Sequence, residues 1–345
     1  MSQQYLMNKG KLLDNLGKLI EVGYALDLVR EYNRADIKAS KWRIKEWDYY
    51  YIGNSHYGVA LTAAENSYMS MTSASLLDFD KKSYTTTSDM HFLTFGKNVM
   101  PSTIESGDAD FQSKRVRMHF VKNENDRKLV CIFNDFKKQT HLEANLTLTD
   151  FPRDNMVIAT PFDGDDKAFY YNAKVNCMKA EGYVRIGAEE YKFDKSDSLA
   201  VLDWGRGVWT YKNTWYWSSL NTYVDGKRIG FNLGYGFGNT DRASENMIFV
   251  DGIAHKTDRV TFNIPKNARG EDDYLSNWTI TSNDNRVDLV FQPILDRQDY
   301  TNILIICSNQ HQVFGKFNGK LVLDDGSVVQ LQDNVGFAEK VYNKW

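Results

Sequence analysis

The chain has 345 residues, enough for about two domains of ordinary size. Its 42 Lys+Arg against 45 Asp+Glu leave a net charge of −3, which argues against a basic nucleic-acid surface and against a polybasic membrane anchor. Aromatic residues make up 14% and prolines number only five, a composition suited to long β-ladders, because proline cannot donate to a ladder and aromatics fit a pleated surface.

At the N-terminus, Lys9, Lys11, Asp14 and Lys18 interrupt every apolar run, so no signal peptide is expected, and no stretch reaches the ~18 apolar residues of a spanning helix. Residues 6–32 read as partly helical: Leu12, Leu13, Leu16, Leu19 and Ile20 fall at helix-like spacing, weakened by Gly10, Gly17 and Gly23. From Trp42 the pattern is β. Period-two segments recur at Trp47–Ile52, Tyr57–Thr62, Tyr68–Ser73, Val116–Val121, Lys128–Phe133, Ala144–Leu148, Ala168–Val175 and Tyr183–Ile186. They continue at Trp215–Leu220, Ile229–Tyr235, Asn246–Val250, Val260–Ile264, Trp278–Thr281, Val287–Phe291, Ile303–Ser308 and Lys320–Leu323. Turn signals such as Asp163-Gly164, Asp225-Gly226 and Asp251-Gly252 separate them. Such spacing predicts antiparallel meanders closed into barrels or stacked as sandwiches. Cys131, Cys177 and Cys307 lie in strand-like runs and read as reduced core thiols, which places the chain in the cytoplasm.

Two segments recur in order. Trp47-Asp-Tyr-Tyr is matched by Trp215-Tyr-Trp, and Lys128-Leu-Val-Cys-Ile-Phe133 by Arg286-Val-Asp-Leu-Val-Phe291. A duplicated β unit accounts for both, although any two meanders share some likeness. The fold class predicted is all-β, with two antiparallel barrel or meander domains in tandem at 1–195 and 196–345 and a short, partly helical N-terminal segment.

The densest unusual segment is Leu202-Asp-Trp-Gly-Arg-Gly-Val-Trp209, followed by Trp215-Tyr-Trp217. By parity Asp203 and Trp209 share one strand face, and Trp204 and Arg206 the other. Asp203 and Arg206 reach one cavity only if a glycine bulge shifts the register. An Asp–Arg pair locking a strand corner is the structural alternative. In Phe231-Asn-Leu-Gly-Tyr-Gly-Phe-Gly238 one face is nearly bare, leaving room for a ligand or for Trp215 or Trp217 laid across glycine; Asn232 is a candidate polar contact. Glu245 stands at the inward end of the apolar alternation Glu245–Met247–Phe249, where burial would raise its pKa and make it a proton donor near neutrality. A solvated strand end is the alternative. His255 follows an Asp-Gly turn and reads as an acid–base candidate or a surface histidine. Trp47 and Tyr49 share one aromatic face, by default a packing surface. The sequence has no HExxH, CxxC, Walker loop or Gly-x-Ser-x-Gly elbow, and its six histidines lack ligand spacing, so neither a metal nor a cofactor is expected.

The run from Lys174 through Asp203–Trp209, Trp215-Tyr-Trp217, Asn232-Leu-Gly234, Glu245-Asn246 and Asp251-Gly252 to His255-Lys256 resembles an uncharacterised domain-of-unknown-function family of bacteria and fungi. Trp47–Tyr50, Phe291-x-Pro293, Gln312–Gly319 and Gly336–Glu339 extend the likeness over most of the chain. That family looks like a relative of the two-domain, lipocalin-like calycins that include carotenoid 1,2-hydratase (hydroxyneurosporene synthase), tocopherol cyclase and certain fungal Diels–Alderases. The resemblance implies two lipocalin-like barrels with a ligand site in or between them; it assigns no catalytic residue.

Three functions fit these features. The first is an enzyme that protonates a mostly apolar substrate for hydration, isomerisation or cyclisation. Asp203 or Glu245 would be the acid, Trp204, Trp209, Trp215 and Trp217 a cation-stabilising wall, and Arg206 or His255 the orienting group. The second is a carrier of a hydrophobic or amphipathic small molecule, with Asn232 and Arg206 holding its polar end. The third is carbohydrate binding or hydrolysis with Asp203 and Glu245 as paired carboxylates. In each the partner is a small molecule, with no nucleic acid and no integral membrane association; the sequence leaves the oligomeric state open.

Overall fold

The computed structural model describes residues 5–303 and 306–344, so residues 304 and 305, inside the predicted strand Ile303–Ser308, lie outside the described residues. The N-terminal segment holds three short strands, β1 (Gly10–Lys11), β2 (Gly23–Ala25) and β3 (Arg30–Glu31), and its helical turns are the 3-10 turns Arg34–Asp36 and Lys41–Arg43. Residues 6–32, read as partly helical, instead form these short strands joined by turns and irregular backbone. Their leucines follow tertiary contacts rather than one helix face: Leu12 and Leu13 are buried, while Leu16 is exposed.

The first sheet contains β4 (Ile44–Gly53), β5 (Tyr57–Glu65), β6 (Met69–Asp78), β7 (Ser83–Phe92), β8 (Ala109–Gln112), β9 (Val116–Lys122), β10 (Arg127–Lys137) and β11 (Thr140–Thr149). It continues with β12 (Met156–Phe162), β13 (Asp165–Ile186), β14 (Glu189–Phe193) and β15 (Leu199–Val208). Its order is β7-β6-β5-β4-β15-β13-β11-β10-β9-β8, curled around one apolar core. The chain then enters a second sheet: β16 (Lys212–Val224), β17 (Lys227–Tyr235), β18 (Met247–Val250), β19 (Ile253–Lys256), β20 (Val260–Asn263), β21 (Trp278–Ser282), β22 (Val287–Ile303), β23 (Ile306–Val322) and β24 (Val328–Lys344). Its order is β19-β18-β17-β16-β24-β23-β22-β21-β20. The protein is therefore two curled antiparallel half-barrels.

The two sheets repeat one device. In each, the strand bearing the predicted tryptophan anchor (β4 or β16) pairs with the hairpin that follows it and with the last strand of its own unit (β15 or β24). The second pair of matching segments does not occupy equivalent places. Lys128–Phe133 lies in β10, four strands from β4, whereas Arg286–Phe291 lies largely in β22, three strands from β16.

Long strands bend where side chains or φ demand it. β13 is 22 residues long, and its register to β15 shifts between Val175 and Met178, where Cys177 has φ +58°. Asn221 of β16 accepts the Cys177 amide at 2.7 Å, so the second sheet grips the bend of the first. A third apolar cluster fills the seam between the sheets, drawing Tyr49, Tyr170 and Trp209 from one side and Trp217, Phe237 and Phe337 from the other. No helix among the described residues is long and apolar enough to cross a membrane.

Candidate functional site

Cross-strand register builds the site at this seam. In the first sheet Lys174, Asp203 and Tyr49 are successive partners across β13, β15 and β4. In the second, Gly234, Trp217, Glu339 and Gln312 form a matching row across β17, β16, β24 and β23. Partners in a ladder point to one face, and these two faces meet.

A buried polar network joins them. The Lys174 ammonium lies 2.8 Å from the Asp203 carboxylate, which also accepts from Asn172 at 2.6 Å. The same ammonium sits 3.9 Å from the centroid of the Trp217 ring, so a cation already rests on an indole face here. Trp217 donates its indole N–H to Asn232 Oδ1 at 2.7 Å, and the Asn232 amide donates to the Glu245 backbone carbonyl at 2.8 Å and to its Oε2 at 3.2 Å. Glu245 Oε1 and the Tyr170 hydroxyl have no hydrogen-bond partner among the described residues. A parallel arm ends in Glu339, which accepts from Trp215 and from Gln312, both at 2.9 Å; Gln312 in turn accepts from Tyr49.

Burial sets the acid–base character. Desolvation pushes both Glu245 and Glu339 up to about 7, against the opposing pull of nearby Lys174. For Glu245 the Asp203 charge adds to the rise. Tyr170, fully buried and facing Glu245, Asp203 and Glu339, is held well above the ordinary tyrosine value.

Beyond the polar groups lies an aromatic box. Trp209 packs edge-on against Trp47, Tyr170 and Trp215 at ring-centroid distances of 5.6, 6.0 and 5.3 Å, and Tyr170 stacks on Phe237 at 4.7 Å. A shallow recess of about 570 Å³ over Phe162–Asp166 meets this box at Phe162, whose ring is 5.9 Å from Trp209. A second recess, of about 200 Å³, lies in the first half-barrel among Ser70, Asp89, His91 and Lys97.

The structure thus brings Asp203, Glu245, Asn232, Trp47, Tyr49, Trp209, Trp215 and Trp217 to one seam, and it separates three residues from them. Trp204 and Arg206 point into the first half-barrel, because β15 pairs with β4 in unbroken register and no bulge turns them around. Arg206 is fully buried, bonds Asp48 at 2.8 Å and donates to the Pro101 carbonyl. The anticipated Asp203–Arg206 corner pair is replaced by Asp203–Lys174 and Asp48–Arg206. His255 sits on the edge strand β19, with Nδ1 3.2 Å from Asp324. Glycine also acts differently than expected. Gly205 leaves room for the Trp47 ring beside it, and the space a Gly234 side chain would fill is taken by the Glu245 carboxyl rather than by a tryptophan or a ligand.

Residue-by-residue reading gave no site role to Lys174, Tyr170, Gln312 or Glu339. Lys174 had a signal: it is the one charge between Ala168 and Val175, an otherwise uncharged strand. Glu339 had none, since β24 alternates poorly and the four successive residues Gly336–Glu339 are all buried, so parity names no inward face.

Among the described residues no cluster of His, Cys, Asp or Glu is placed to hold a metal ion. A family profile described as a domain of unknown function, DUF2804, matches residues 3–345, in agreement with the resemblance drawn from the sequence. Comparison with curated proteins finds no match. Among solved structures, an AttH-type protein of Nitrosomonas europaea is similar in fold, with TM-score 0.53 and 10% identity over 90% of this chain and 96% of that one. Kievitone hydratase of Nectria haematococca aligns with TM-score 0.46 and 10% identity, over 100% of this chain and 98% of that one.

Proposed function

We propose that this chain, which belongs to the DUF2804 family, is an acid–base catalyst for a mostly apolar small molecule bound at the seam between its half-barrels. The observation that carries the reading is Glu245: a buried carboxyl at the aromatic seam, pushed up to about 7 by that burial, with one oxygen unpartnered among the described residues.

The chemistry fits protonation of a carbon–carbon double bond. The Glu245 proton adds to one alkene carbon and its O–H electrons stay on the carboxylate. Aromatic faces and the Asp203 charge steady the cation on the other carbon. Water then forms the new C–O bond and returns a proton to the carboxylate, or loss of a neighbouring C–H proton to the same oxygen gives an isomer. Glu339 is a second buried acid on the same seam, suited to relaying protons to water. Asn232 is a positioning residue, since its amide locks both Trp217 and Glu245. The carbohydrate reading gains less support, because Asp203 and Glu245 are buried rather than set along an open groove.

Native mass spectrometry of protein purified from its own host identifies the bound compound. Glu245→Gln is expected to retain that compound and to lose its conversion by roughly 10²- to 10⁴-fold, the usual worth of general acid–base catalysis. An unchanged rate in Glu245→Gln overturns the proposal. A compound that the wild type binds but never converts makes the protein a carrier instead.

A further inference from the structure

We infer that the loop after β7 docks the molecule on an anionic lipid bilayer. β7 ends at Phe92, and the chain continues Leu93-Thr94-Phe95-Gly96-Lys97. Here the usual sorting of side chains is inverted. Thr94 is buried and donates to the buried Glu65 carboxylate at 2.7 Å, while Phe92, Leu93 and Phe95 are 70%, 56% and 38% exposed. Trp42 is 55% exposed and packs edge-on against Phe95 at 4.8 Å; Val99, 77% exposed, follows in the same loop.

The backbone holds this inversion against its own preference. Leu93 has φ +60° and Phe95 φ +47°, the left-handed region that bulky residues rarely adopt. Both amides are nonetheless pinned, Leu93 to the Tyr68 carbonyl at 2.6 Å and Phe95 to the Ser67 carbonyl at 2.7 Å. Asparagine or glycine would suit either position better, yet each carries a large apolar side chain aimed at water. An exposed apolar patch of this kind marks an interaction surface, and strained backbone of this kind clusters at functional sites.

Charge selects the partner. Exposed Lys41 precedes Trp42, and exposed Lys97 lies two residues beyond Phe95. The neighbouring carboxylates are engaged away from the patch: Glu65 by Thr94 and Ser67, Glu46 by Tyr32 and Arg34, Asp89 by His91 and Ser113. Aromatic side chains with lysines at their rim match the boundary of a bilayer, where rings lie at the headgroup level and ammonium groups reach phosphate.

Co-sedimentation of the full chain with vesicles tests this without any substrate, so the result is independent of the acid chemistry proposed above. Binding to phosphatidylcholine–phosphatidylserine vesicles is expected to exceed binding to pure phosphatidylcholine by roughly tenfold or more, from two lysines near an anionic surface. Lys41→Glu with Lys97→Glu should erase that preference. Leu93→Asn with Phe95→Asn, which suits the left-handed backbone and preserves the fold, should weaken binding by roughly tenfold or more. Absence of vesicle binding, equal binding to both compositions, or unchanged binding in the asparagine variant overturns the inference. So does a concentration-dependent dimer that the asparagine variant abolishes while vesicles go unbound, because the partner would then be a second copy of the chain.

Discussion

Glu245 shows how one side chain couples stability to chemistry. Its carboxyl is raised from the ordinary 4.5 to about 7 by burial. Below about pH 4.5 it is protonated in both folded and unfolded chains and contributes no difference. As pH climbs from there to about 7 the unfolded chain ionises first, so folding loses stability, on the order of 3 kcal/mol when the loss is complete. Glu339, shifted in the same direction by burial, adds to the same slope. Urea titrations between pH 5 and pH 8 should therefore show wild-type stability falling with pH and a shallower fall in Glu245→Gln. Equal slopes would remove the buried-acid account. Much of this was legible in sequence, because the alternation Glu245–Met247–Phe249 places an acid at the inward end of an apolar strand. Glu339 was not, because β24 alternates poorly around it and no local pattern marks its inward face.

Among the elements, β15 departs furthest from expectation. Its two glycines suggested a bulge, but the ladder runs straight from Leu199 to Val208 and the glycines make room for neighbours. A straight strand sends Asp203 to the seam and Trp204 and Arg206 into the first half-barrel. There the Arg206 guanidinium holds the Pro101 carbonyl at 2.7 Å, while Lys122 and Arg127 hold the carbonyls of Thr103 and Ile104 at 3.0 and 2.7 Å. Three buried cations thus fasten the loop around residues 100–104 over that core, and Asp48, fully buried, balances two of them. Arg206→Ala should leave Asp48 with Lys122 as its one remaining cation, release the Pro101 carbonyl, and cost about 3–5 kcal/mol, the usual result of breaking a buried pair. Hydrogen exchange should show the amides of residues 100–106 opening faster than those of β16 to β24. A uniform change across both sheets would contradict this assignment.

At the scale of the whole molecule, the seam belongs to both sheets. Tyr49 packs on Trp217, Tyr51 on Phe314 and Phe337, and Tyr170 on Phe237, each pair crossing from one half-barrel to the other. Separating the halves would expose these rings together with the Lys174–Asp203 pair. Thermal unfolding should therefore be one cooperative event, with tryptophan fluorescence and far-ultraviolet circular dichroism giving the same midpoint. Two separated transitions would show that each half-barrel is stable alone.

Local chemistry decided a great deal here. Alternation, turn dipeptides and the scarcity of proline dictate an all-β chain of meanders, since a period of two has only one regular backbone solution. They also locate most strands and the segments from which the site is built. Pattern alone misses β8, β12 and β14, and also β7, whose Ser/Thr-rich sequence is half-exposed on both faces, and β24, whose alternation breaks where one strand spans both a core and a seam. Which acid meets which base was decided only in three dimensions. Asp203 pairs with Lys174 and Arg206 with Asp48 because register, a long-range property, sets the partner, and each buried charge is stabilised by the opposite charge that the fold delivers to it.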